Sequence, residues 1–124
     1  MDTAEYWIKK LNLEKHPEGG YYRRTYCSEV EFKRGKIPKA ISSSIYYLLN
    51  NEDFSCFHRI QSDELWFFHS GSTINILMIN TEGKLEIKKL GIENELQVLV
   101  AANTWFAAEL EDKSTFGLVS CVVS

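Results

Sequence analysis

Apolar residues recur along this chain with two different periods, and the change from one to the other divides it. In residues 2–12, Ala4, Trp7, Ile8 and Leu11 fall at i, i+3, i+4 and i+7. That spacing predicts one amphipathic helix. Asp2 is placed to cap it, with Glu5 three residues on in the capping-box position. From residue 20 onward the period is two, as in strands with one buried face. Strands are predicted over Tyr21–Ser28, Ala40–Leu49, the two halves of Phe57–Gly71, Thr73–Asn80, Lys84–Leu90, Leu96–Ala101, Thr104–Leu110 and Phe116–Val123. Turn residues separate them: His16–Gly20, Asn50–Asn51, Gln61–Asp63, Thr81–Gly83, Gly91–Glu95 and Ala102–Asn103. Glu29–Lys39 is polar, holds Gly35 and Pro38, and reads as a loop across a pocket mouth. About eight to ten short strands after a single helix make an all-β sandwich or barrel. One domain is expected over 1–124, with the helix at 2–12 and the barrel at 20–124.

Composition adds exclusions. The chain has 124 residues, 44% of them hydrophobic, and a net charge of −3. That is enough apolar material for one continuous core. No stripe of Lys and Arg suggests nucleic acid or an anionic membrane as partner. No apolar run approaches the ~20 residues of a membrane helix. MDTAEYWIKKLNL carries acids and lysines where a secretory leader would be apolar, so a cytoplasmic protein is expected. Cys27, Cys56 and Cys121 are odd in number and lack C-x-x-C spacing, which argues against a disulfide framework and a thiolate zinc site. They read as small apolar residues in or beside strands.

The candidate chemistry lies in FHRIQSDELWFFHSG, residues 57–71. His58 and Ile60 share one strand face, and Glu64, Trp66 and Phe68 share another. If both faces look into one cavity, an imidazole and a carboxylate meet against an aromatic wall. His16, before a proline, reads as a hydrogen-bonding turn residue. On Tyr21–Ser28, Tyr22 and Arg24 share a face opposite Tyr21 and Arg23, and hydrophobicity does not select which face is inward. The hydroxyls of Ser42, Ser43 and Ser44 suit a ligand and solvent equally.

Phe57–Gly71 also resembles the first motif of the cupin superfamily, G-x5-H-x-H-x3-E-x6-G. Its slots are filled here by Glu52, His58, Ile60, Glu64 and Gly71. With HPEGGYYRRTY at 16–26, SIYYLL at 44–49 and VAANTW at 100–105, the chain resembles the small cupin family known as a domain of unknown function (DUF985, Cupin_5). The resemblance implies a cupin jelly roll, a double-stranded β-helix. It also implies a short Pro-Gly-Phe tail beyond Ser124, and homodimers, here through the N-terminal segment and an edge strand. Cupin metal sites take two histidines and a glutamate from the first motif and a histidine from the second. Here Ile60 replaces the second histidine and Phe106 aligns with the last, while His69 has the wrong parity to substitute. No bound metal and no cofactor are therefore expected.

The expected function is metal-free binding of a small polar molecule, such as a sugar or nucleotide-sugar. His58, Glu64 and Arg24 would supply polar contacts, and Tyr22, Trp66 and Phe106 apolar walls. The second reading is a sugar epimerase or isomerase. There His58 is the general base, its tautomer set by a hydrogen bond to Glu64, and Tyr47 or Tyr22 is the acid. In the corresponding strand of cupin epimerases an acid stands two after an aromatic residue. Arg24 occupies that place and reverses the charge offered to a ligand. A metal-dependent enzyme and a scaffold protein with a blocked pocket are the remaining readings.

Overall fold

The computed structural model describes residues 2–124. Helix α1 spans Ala4–Lys10, shorter at both ends than the periodicity predicts. Its cap is Thr3 and not Asp2: Thr3 is extended, and its hydroxyl accepts from the Tyr6 backbone N–H at 3.1 Å. Two turns of helix do not hold themselves together in water. Trp7, Ile8 and Leu11 instead pack on Leu48, Phe116 and Leu118, anchoring α1 to the outside of the larger sheet. No described helix is long and apolar enough to cross a membrane.

Twelve strands follow: β1 (Glu14–Lys15), β2 (Tyr21–Cys27), β3 (Glu31–Arg34), β4 (Ile37–Ala40), β5 (Ser43–Asn50), β6 (Phe54–His58), β7 (Glu64–Gly71), β8 (Ile74–Ile79), β9 (Leu85–Leu90), β10 (Gln97–Val100), β11 (Trp105–Leu110) and β12 (Phe116–Val123). Six form one antiparallel sheet in the order β1-β2-β5-β12-β7-β10, and four form a second in the order β6-β11-β8-β9. The two sheets face each other around a core that includes Leu49, Trp66, Ile76, Val100, Phe106 and Val119. This is the all-β jelly roll that the strand spacing and the resemblance predict. In β5, Tyr47 and Leu49 turn to this core while Leu48 turns to α1. Burial of both faces explains why IYYLL is apolar without alternation.

Two expectations change. Residues 29–39 are not an irregular loop: β3 and β4 pair as a hairpin of their own, turning at Gly35 with φ +66°. Both faces of this ribbon are largely exposed, so burial imposed no alternation to read. The second change concerns the two halves of Phe57–Gly71. They are not adjacent strands of one sheet, since β6 pairs with β11 and β7 lies between β12 and β10. The 59–63 link carries the chain from one sheet to the other. It is pinned where Asn103 N–H donates to the Ile60 carbonyl at 2.7 Å and Ala102 N–H to the Asp63 carboxylate at 2.8 Å.

Candidate functional site

The turn His16–Gly20 positions two of the site's polar groups. Gly19 and Gly20 have φ of +112° and +78°. A Cβ on Gly19 would lie 2.1 Å from the Phe54 carbonyl oxygen, and one on Gly20 2.8 Å from that of Leu48. The turn is thus pressed against β5 and β6 where only glycine fits. The Glu18 carbonyl accepts from Cys56 N–H at 3.1 Å, and the Gly19 carbonyl accepts from the Tyr47 hydroxyl at 2.6 Å. His16 and Glu18 are thereby held over the open end of the sandwich. His16 accepts at Nδ1 from the Glu18 N–H at 3.0 Å, which leaves its proton on Nε2. Burial lowers the His16 pKa; Glu18 works against this and His58 with it.

Opposite them stand His58, at the end of β6, and Glu64, at the start of β7. The His58 ring lies 4.4 Å from that of Phe106. Its Nδ1 is 2.7 Å from the Cys56 carbonyl oxygen and 3.4 Å from Glu18 Oε2. Both are acceptors, so Nδ1 carries the proton and Nε2 of the neutral ring is the free lone pair. Glu64 does not orient His58 by a hydrogen bond, contrary to expectation. Its Oε1 accepts from the Trp66 indole N–H at 2.7 Å. Burial raises the Glu64 pKa, with Trp66 and His58 opposing and Glu18 adding to the rise.

The space between these groups has two parts. An outer bowl of about 620 Å³ is lined by His16, Glu18, Arg24, His58, Ile60 and Glu64, by Ser43, Gln61 and Ser62, and by the β3–β4 hairpin through Phe32, Arg34 and Lys39. Below it lies a recess of about 40 Å³, floored by Tyr47, Trp66, Phe106 and Cys121. The recess has room for about one water molecule, so a ring-sized ligand belongs in the bowl.

His58 and Glu64 therefore do look into one cavity, and Arg24 joins them. Tyr47, Trp66 and Phe106 lie beneath in the recess. Tyr22 lines neither part: it packs edge-on against His16 at 4.7 Å and into the core. The Tyr47 hydroxyl, buried and with its pKa raised, is committed to Gly19. Of the three serines, Ser43 lines the bowl, while Ser44 bonds the Thr25 hydroxyl at 2.6 Å. Sequence reasoning missed Glu18 and Arg34, and left His16 as a turn residue. The glycine pair after His16 was the available signal, because it marks backbone in close approach.

For a metal, the donor set does not fit. At the two motif positions where histidines would stand, Ile60 and Phe106 present carbon to the cavity. Among the described residues no group of three or more His, Cys, Asp or Glu is arranged to hold an ion.

The family described as Cupin superfamily (DUF985) matches residues 5–124. The crystal structure of a Shewanella oneidensis protein is 40% identical with a TM-score of 0.90, the match covering 100% of this chain and 78% of that one. A hypothetical protein from Leishmania major is 29% identical with the same TM-score, covering 99% of this chain and 81% of its own. Oxalate decarboxylase from Bacillus subtilis, at 13% identity and TM-score 0.63, matches 89% of this chain with 26% of its length and shares the fold alone. No curated protein matches the chain. A jelly roll with a glycine-clamped turn over the His58–Glu64 cavity, and a family match over nearly its whole length, make this chain a member of the DUF985 family of the cupin superfamily.

Proposed function

We propose that this protein binds a small polar molecule of sugar or nucleotide-sugar size, without a metal, in the bowl between the two sheets. The observation that carries this reading is the bowl itself. About 620 Å³ is within the usual range for a ligand site, and its polar side chains converge over an apolar recess. Arg24, His58 and Glu64 are the contacts; Trp66 and Phe106 support them from below. The test is a ligand panel of monosaccharides, sugar phosphates and nucleotide-sugars followed by NMR shift perturbation. Binding that is lost in both Arg24→Ala and His58→Ala supports the site. Absence of binding across the panel would remove it.

The second reading, an epimerase or isomerase, rests on the His58 tautomer. With Nδ1 facing a carbonyl and Glu18, Nε2 is the base, and Glu18 stabilises the imidazolium once a proton is taken from carbon beside a carbonyl. Glu64 lines the same cavity as His58, and burial raises its pKa, so in its protonated form it would be the matching donor to the developing oxyanion. Incubation with keto-sugar nucleotides in deuterated water tests this. Deuterium is expected at the carbon beside the carbonyl, and none with His58→Ala; no incorporation with any substrate excludes the reaction.

We also infer a homodimer. The outer face of the four-stranded sheet carries one exposed apolar row in register, Trp105–Ile79–Leu85, beside the Leu77–Ile87 pair. Trp105 is 44% exposed and Ile87 52%. A second copy of this face is the self-complementary cover. α1 already packs on its own chain, so the sheet face supports assembly better than the N-terminal segment does.

A further inference from the structure

Three cationic side chains meet at the bowl without an acidic partner. Arg24 enters from β2, Arg34 from the end of β3 and Lys39 from β4. The described ion pairs are His58–Glu18, Lys89–Glu111 and Lys113–Glu109, so none involves these three. The bowl does contain two acids. Glu18 is beside His58, and Glu64 is turned to the Trp66 indole. Three cations thus stand against two carboxyl groups in the bowl, and neither acid pairs with them. Arg34 is also held in place: its Nη2 donates to the Gln61 carbonyl at 3.1 Å and to the Ser62 hydroxyl at 3.3 Å, and its guanidinium lies 5.1 Å from the Phe32 ring centroid. A guanidinium has five N–H donors in a rigid fork, so donors remain for a ligand after these bonds. Arg24 donates to no described protein group.

We infer that the natural ligand is an oxyanion, carrying a phosphate or carboxylate that Arg24, Arg34 and Lys39 hold at the rim while its neutral part reaches toward His58 and Glu64. This deepens the binding proposal above and rests on the same bowl. The β3–β4 hairpin then has a chemical reason to stand there: it supplies two of the three charges. Arg34 ties it to the 61–62 turn, so the charges are pre-positioned and little side-chain freedom is lost on binding.

The experiment is calorimetric titration of the full chain with pyrophosphate and, in parallel, malonate, at low and moderate salt. Binding of at least one anion is expected, weakening as ionic strength rises. Pyrophosphate binding the tighter identifies a phosphate ligand, and malonate the tighter a carboxylate. Arg24→Ala and Arg34→Ala should each weaken that anion about tenfold, the loss of one charge-assisted contact, with Arg24→Lys recovering part of it. Lys84→Ala, a cation outside the bowl, should change it less than twofold. Arg24→Ala removes no described side-chain hydrogen bond or ion pair, so it remains informative if Arg34→Ala disturbs the hairpin. Binding of neither anion, or equal affinity in wild type and in the Arg24→Ala/Arg34→Ala double variant, overturns the inference. Monosaccharide binding abolished by His58→Ala would survive that result and leave the parent reading standing; its absence alongside anion binding would remove the deep contact alone.

Discussion

The Tyr47 phenol donates its proton to the Gly19 carbonyl at 2.6 Å, joining the centre of β5 to the turn that carries His16 and Glu18. A core residue thus sets the height of two site residues above the recess. Tyr47→Phe keeps the ring and leaves that carbonyl without its partner. The expected cost is about 1–3 kcal/mol, read from urea unfolding. Because the hydroxyl serves structure, deuterium exchange by folded Tyr47→Phe should stay within a few-fold of wild type. A full loss of exchange would instead identify Tyr47 as the acid.

Gly19 is the tightest point of the same turn. Its φ of +112° disfavours any L side chain, and an added methyl would overlap the Phe54 carbonyl. Gly19→Ala is expected to destabilise by roughly 2–4 kcal/mol. Gly35→Ala, at φ +66° with open space around it, should cost about 1 kcal/mol. Thermal unfolding of the two variants side by side checks the difference.

Glu64 makes stability depend on pH in a stated direction. A carboxyl whose folded pKa lies above its ordinary value of 4.5 binds its proton more readily in the folded chain. Its contribution is then fully present below the unfolded value and is lost as pH rises through the folded one. Glu64→Gln keeps an acceptor for the Trp66 indole and removes the titration. The melting temperature of Glu64→Gln minus that of wild type should therefore increase from pH 4.5 upward. A difference that does not vary with pH would contradict the burial argument.

Assembly through the four-stranded sheet predicts that Trp105→Glu yields monomers by light scattering at micromolar concentration, without loss of secondary structure by circular dichroism. Trp105 is not part of the core, so unfolding is not expected to confuse the result. A wild-type monomer at that concentration would end the dimer reading.

Much of the fold was legible because burial leaves a period in the chain. β12 begins and ends where the apolar run of Phe116–Val123 does, and Asn51 and Asn103 take the positive φ expected of turns. The helix was legible as a stripe, though Thr3 rather than Asp2 caps it, since a cap depends on one backbone conformation and not on a repeating pattern. The β3–β4 hairpin left no such mark, because its pairing is stabilised by backbone hydrogen bonds and its side chains mostly meet water.

For the site, sequence alone put His58 with Ile60 on one strand face and Glu64 with Trp66 on another, since strand parity is a property of order along the chain. The cupin resemblance put Ile60 and Phe106 at the remaining metal-ligand positions. That the two faces meet in one cavity was decided by the tertiary structure. Only the tertiary structure decided the partners. Glu64 bonds Trp66, His58 faces Cys56 and Glu18, and Arg34 reaches the bowl from residues that looked like loop. Those contacts join segments up to 40 residues apart, and no local period records which sheet a strand enters or which carbonyl a ring nitrogen meets.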